Sequence, residues 1–83
     1  MTVYVVVVED RHVDVEFEVF TDQDAAVAYA RKCAQEGADA VWHREVVEHN
    51  PDAVEGRLYY ATYSVEDDSV WVVPKKLRGH ADE

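Results

Sequence analysis

Four kinds of side chain in this sequence could do chemistry: scattered histidines, one cysteine, a short basic run and an alternating row of carboxylates. His12, His43, His49 and His80 match no metal-binding spacing, and no pair falls at i and i+4 on a segment with helical periodicity. We expect no metal and no cofactor. Cys33 has no histidine near it in sequence and reads as a small buried apolar residue rather than a nucleophile. As the only cysteine, it also excludes an intramolecular disulfide and gives no reason to place the chain in an oxidising compartment. There is no glycine-rich phosphate loop and no Ser or Cys beside a base. Asp14, Glu16 and Glu18 are paired carboxylates in type, but on an exposed strand they would stay ordinary solvated acids. The expectation is a protein with no catalytic residues, not an enzyme.

Charge narrows the partners. Eighteen Asp and Glu against eight Lys and Arg give a net charge of −10, which repels nucleic-acid backbones and anionic membranes. Lys75, Lys76 and Arg78 form the one basic cluster, three cations beside an acidic body, and make a solubilising tail rather than a phosphate site. Direct nucleic-acid binding is not expected. The carboxylate row points instead to a basic protein partner, with members about 6.7 Å apart along a strand. That is about half the linear density of phosphates on one DNA strand, so imitation of DNA would need a second row. Glu9 and Asp10 at one turn, or Glu66, Asp67 and Asp68 at another, could supply it. The acidity has a plainer reading as well: a high net negative charge keeps proteins dissolved and is a lever in salt-adapted organisms.

The elements that must position these groups follow from hydrophobic periodicity. Val3 to Val8 is a β-branched run, and Val13, Val15, Phe17 and Val19 alternate with Asp14, Glu16 and Glu18, so both segments read as strands. The polar Glu9-Asp10-Arg11-His12 between them closes an antiparallel hairpin. Thr21 with Asp24 three residues on resembles a capping box, and predicts a helix over about residues 22 to 36 that Gly37 stops. Its stripe is Ala26, Tyr29, Ala30 and Cys33. Arg31 and Lys32 would sit at its negative end. The segment 40–48 reads as an edge strand, and Asn50-Pro51-Asp52 as a turn. Arg57 to Val65 and Ser69 to Val73 read as two strands joined by Glu66-Asp67-Asp68, with Pro74 ending the sheet.

The order β-β-α-(β)-β-β predicts an α+β fold, an antiparallel sheet of four or five strands with one helix on one face. At 83 residues it makes a single domain, expected over 1–78, with 79–83 as a frayed tail. The longest apolar run is six residues, against roughly 20 for a membrane span, and no secretory leader is legible. A cytoplasmic protein away from membranes is expected.

One helix covers one face, so the other needs a reason. With a first turn of two or four residues, Tyr4, Val6 and Val8 would share a face with Val13, Val15 and Phe17. Val3, Val5 and Val7 would then share the other with the carboxylates. In the last hairpin Tyr59, Ala61, Tyr63, Val65, Val70 and Val72 group together, and Leu58, Tyr60, Thr62, Trp71 and Val73 form the opposite group. Whichever group faces away from the helix joins Val3, Val5 and Val7 in an apolar, aromatic patch, for which Val3, Val5, Val7, Tyr59, Tyr63 and Trp71 are the candidates. Such a patch marks an interface. Its cover could be the segment 37–55 of the same chain, a second copy in a homodimer, or an external partner.

The stretches VYVVVVEDRHVDVEFEVFTDQDAAVAYA and LYYATYSVEDDSVWVV, about half the chain, resemble small uncharacterised acidic proteins of haloarchaea, high-GC actinobacteria and their viruses. In size, acidity and layout the chain is also similar to virus-encoded inhibitors of the anti-CRISPR type. That resemblance implies a non-enzymatic inhibitor occupying a basic surface of a nucleic-acid-handling protein, and carries over no functional residue. The other expectation is a self-associating structural domain whose acidity serves solubility.

Overall fold

The computed structural model describes residues 2–10, 15–40, 45–50, 56–63 and 68–76. Chain order is β1 (Thr2–Glu9), β2 (Glu16–Phe20), α1 (Gln23–Ala40), β3 (Val47–His49), β4 (Tyr59–Thr62) and β5 (Ser69–Lys76). The strands form one antiparallel sheet in the order β2-β1-β5-β4-β3, with α1 packed on one face. This is the expected α+β architecture with five strands. The first and last strands pair at its centre along eight residues, from Thr2 opposite Lys76 to Glu9 opposite Ser69.

The core lies between α1 and the sheet. The fully buried helix residues are all alanines, Ala26, Ala30, Ala34 and Ala38, one per turn, with Val27, Tyr29 and Cys33 packed beside them. The sheet supplies the bulk: Val6, Val70, Val72, Tyr59, Ala61 and Tyr63, with Tyr4, Val8 and Phe20 at the margin. Small residues on one layer and large ones on the other let helix and sheet approach closely without voids. Ala26 and Ala30 were legible in the predicted stripe; Tyr29 and Cys33 flank the contact, half-buried.

Three boundaries differ from the sequence reading, each for a local reason. The N-cap is Asp22 rather than Thr21: its Oδ2 accepts from the backbone N–H of Ala25 at 3.2 Å, while its carbonyl takes the first helical bond from Ala26. Gly37 does not stop the helix, which continues to Ala40 and leaves Arg31 and Lys32 in its middle. What Gly37 provides is space. A Cβ there would collide with Tyr63 Cε2 and lie 2.6 Å from Cδ2, so the absent side chain is the slot for the Tyr63 ring. Pro74 does not end β5 either; it sits opposite Tyr4 with two paired residues beyond it. It shares parity with Val72, whose carbonyl accepts from Leu58 N–H, so its missing donor would point past the start of β4.

Of the edge strand expected at 40–48, residues 41–44 lie outside the described residues; the strand described there is Val47–His49, paired to β4. The register of the first hairpin is the larger correction. Val8 pairs with Glu16 and Val5 with Val19, leaving an odd number of residues, 9 to 15, between the first of these pairs. An even turn was expected, and a one-residue difference turns every side chain of the strand to the other face. Phe17 and Val19 therefore join Val5 and Val7 on the outer face. Glu16, Glu18 and Phe20 lie on the helix side with Val8, Val6 and Tyr4.

Candidate protein-docking surface

The face of the sheet away from α1 is built by the registers alone. Phe17 is opposite Val7, Val7 opposite Trp71, Trp71 opposite Tyr60, and Tyr60 opposite His49. This row crosses all five strands, about 19 Å at the usual interstrand spacing. The next row brings Val19, Val5 and Val73 together. Both rows consist almost entirely of apolar or aromatic side chains.

Exposure is uneven along it. Val15, Phe17 and Val19 at the β2 end are 48%, 64% and 60% exposed, while Val3 and Val7 are buried among their neighbours and Val5, Trp71 and Tyr60 are half-buried. At the β4 end a cation covers the aromatics. The Arg57 guanidinium carbon lies 4.4 Å from the Trp71 ring centre and 4.7 Å from that of Tyr60. His49 packs against Tyr60 with tilted rings 4.8 Å apart, and its Nε2 is 3.0 Å from the Thr62 hydroxyl. The outer face is thus bare and apolar at one end and capped by cationic or polar groups at the other.

The expected patch residues divide between the two faces. Val3, Val5, Val7 and Trp71 are on the outer face. Tyr59 and Tyr63 are not: both are buried under α1, so the last hairpin turns its Tyr59, Ala61, Tyr63 group to the helix. Phe17, Val19, Val73, Tyr60, His49 and Arg57 are outer-face residues that the patch candidates left out. Tyr60 was already grouped with Trp71 by parity; Phe17 and Val19 required the register.

The expected acidic row divides as well. Glu16 and Glu18 are exposed on the helix side of β2, and their charges help raise the Tyr29 hydroxyl pKa, behind the larger influence of Cys33. Glu9 is exposed at the end of β1, on the outer face. Asp10 is occupied: its Oδ2 accepts from the Tyr63 hydroxyl at 2.7 Å. Burial, then this bond, pushes the Tyr63 pKa well above the usual phenol value. Asp68 is 1% exposed, with its carbonyl accepting from Tyr63 N–H, so it offers no surface charge to a partner. Asp14, Glu66 and Asp67 lie outside the described residues.

A second cluster sits where β3 meets the helix, around a surface hollow of about 310 Å³ lined by Arg31, Gln35, Val46, Glu48 and Tyr59. Glu48 Oε2 accepts from the Tyr59 hydroxyl at 2.6 Å and from Arg31 Nε at 2.9 Å. The Tyr59 bond and then Arg31 hold the Glu48 carboxyl below its ordinary range, which makes it a weak base. Burial, helped by Glu48, raises the Tyr59 pKa. These groups satisfy one another and tie the three-residue β3 to the helix. Burial likewise raises the Cys33 thiol, away from the thiolate a nucleophile needs.

Among the described residues no group of three or more His, Cys, Asp or Glu could hold a metal ion, and no helix is long and apolar enough to cross a membrane. The chain matches no family model, no curated protein and no solved structure. The functional reading therefore rests on the surfaces themselves.

Proposed function

We propose that the protein is a small, acidic, non-enzymatic binding module that docks a protein partner on the outer face of its sheet. The observation that carries this is the orientation of β2. The strand is strongly amphipathic, yet Phe17 and Val19 point away from the helix and into water, while Glu16 and Glu18 occupy the side facing the core layer. An alternating strand is expected to turn its apolar side to whatever buries it. For β2 that cover is not α1. A patch joining three exposed apolar side chains to half-buried Trp71 and Tyr60 has the composition of an interface centre, and Arg57, Glu9 and His49 form a polar rim.

The net charge of −10 supports a basic partner, of the kind that handles nucleic acid, as the object of an inhibitor or adaptor. A homodimer is the second reading, favoured by the layout of the row. A two-fold axis along β5 would set the bare Phe17 end of one sheet over the Tyr60 and His49 end of the other, an isologous contact.

The test is association of the wild type and of Phe17→Ser/Val19→Ser, by light scattering on a sizing column at about 0.1 M and about 1 M salt, with capture experiments in parallel. We expect the double variant to fold and to lose the association. A wild-type dimer at both salts assigns the face to self-association, because apolar contacts resist screening. A salt-sensitive heterocomplex assigns it to a basic partner. If the double variant retains every association of the wild type, the outer face is not the docking surface.

A further inference from the structure

Among the described residues β2 is an edge of the sheet: it pairs only with β1, and Glu16, Phe17, Glu18 and Val19 are all exposed. Edge strands are usually protected by lysine, proline, a bulge, inward-pointing charges or extreme shortness, because their unpaired N–H and C=O groups template further strands. β2 has no Lys, Pro or Gly, and its five pairs with β1 run in unbroken register. What it does carry is an alternating code: carboxylates on the helix side, apolar groups on the outer side.

That code selects an occupant. The fullest antiparallel pairing of β2 with a second copy, centred on Glu18, would set Glu18 against its own equivalent, and like charges directly opposite are destabilising. The opposite sign fits. An added strand with Lys or Arg at alternate positions would place those cations beside Glu16 and Glu18, and the residues between them beside Phe17 and Val19. The other edge lacks these features. β3 is three residues long, and its one carboxylate, Glu48, is already engaged by Tyr59 and Arg31.

We propose that the edge of β2 away from β1 binds an extended protein segment in which basic and apolar residues alternate, adding it to the sheet as a sixth strand. This rests on the protein-binding reading above, and makes the edge a contact of its own beside the outer face. Backbone bonds supply affinity in such strand addition, and side-chain alternation supplies selectivity.

The experiment uses the full chain and three labelled nine-residue probes, followed by fluorescence anisotropy. One alternates Lys and Val; one has the same composition with the lysines in a block; one alternates but carries N-methyl groups on alternate backbone nitrogens along one edge. We expect the alternating probe to bind, and to slow amide hydrogen exchange at alternate residues of Glu16–Phe20 while leaving Val47–His49 unchanged. The block probe should bind more weakly. Each ladder bond removed by methylation should weaken binding about fivefold. Glu16→Gln/Glu18→Gln, altering two exposed positions, should weaken the alternating probe and flatten its salt dependence. No binding of the alternating probe overturns the proposal. So does equal binding of the block or methylated probe, which would mean adsorption by charge alone. The outer-face reading is scored separately: Phe17→Ser/Val19→Ser association can fail or survive whatever the probes do.

Discussion

β4 and β2 each lie beside the central β1–β5 pair, yet the face turned toward α1 carries apolar residues in one and carboxylates in the other. β4 puts Tyr59 and Ala61 under α1, with Tyr63 just beyond it, and leaves Tyr60 and Thr62 outside. β2 puts Glu16 and Glu18 on the helix side and Phe17 and Val19 outside. The helix side of the sheet is thus a piece of core in one strand and exposed carboxylates in the other. The helix is the reason for the asymmetry. Its alanine stripe packs on β1, β5 and β4, while β2 meets it chiefly at one end, where Phe20 packs on Tyr29 with ring centres 5.3 Å apart. Beyond that contact nothing requires β2 to be apolar on the helix side, and its carboxylates remain in water.

Substitutions should separate the two strands by their effects. Tyr63→Ala removes a fully buried ring together with its hydroxyl bond to Asp10, so we expect a loss of about 3–5 kcal/mol in urea unfolding. A loss below about 1 kcal/mol would mean that this end of the core is not packed as described. Gly37→Ala sharpens the point, because helix propensity favours alanine by about 1 kcal/mol whereas the collision with the Tyr63 ring costs about 1–3 kcal/mol. The net should be destabilising, and in Tyr63→Ala the same glycine substitution should become stabilising. Phe17→Ser, the matching change on β2, should shift the stability of the unassociated protein by no more than about 0.5 kcal/mol while removing its association. A core-sized loss in the monomer would show that the outer face is already covered within the chain.

The two buried phenols give a pH test. Tyr59 and Tyr63 have pKa values raised above the unfolded value of about 10. Their contribution is therefore fully present below that value and is lost as pH rises above it toward the folded pKa values. Phenolate absorbance should show Tyr59 and Tyr63 ionising only with alkaline unfolding. The smallest effect is at Glu48, whose depressed pKa makes a contribution that is present above the ordinary carboxylate value and lost as pH falls through the folded one. Tyr59→Phe should raise that pKa toward the ordinary range, read by NMR titration of the carboxyl carbon. An unchanged value would place the cause in Arg31 alone.

Much of this architecture is legible in the chain because its signals are local. The β-branched run of β1, the alternation of Glu16 to Val19, the alanines after Asp22 and the pairing of Tyr60 with Trp71 each lie within one element or one hairpin. Gly37 shows the limit. As a residue type it signals a helix end, and only the approach of Tyr63, twenty-six positions later, makes it an interior slot. The candidate site had the same limit. Alternation by itself says that Glu16 and Glu18 share one side of β2 and that Phe17 and Val19 share the other. Which side meets the helix depends on whether an odd or even number of residues lies between paired residues of β1 and β2, and the side-chain period of two turns a single residue into an exchange of faces. The sequence by itself determined the strands, the helix and the two chemistries of β2; the tertiary register alone decided which of those chemistries faces outward.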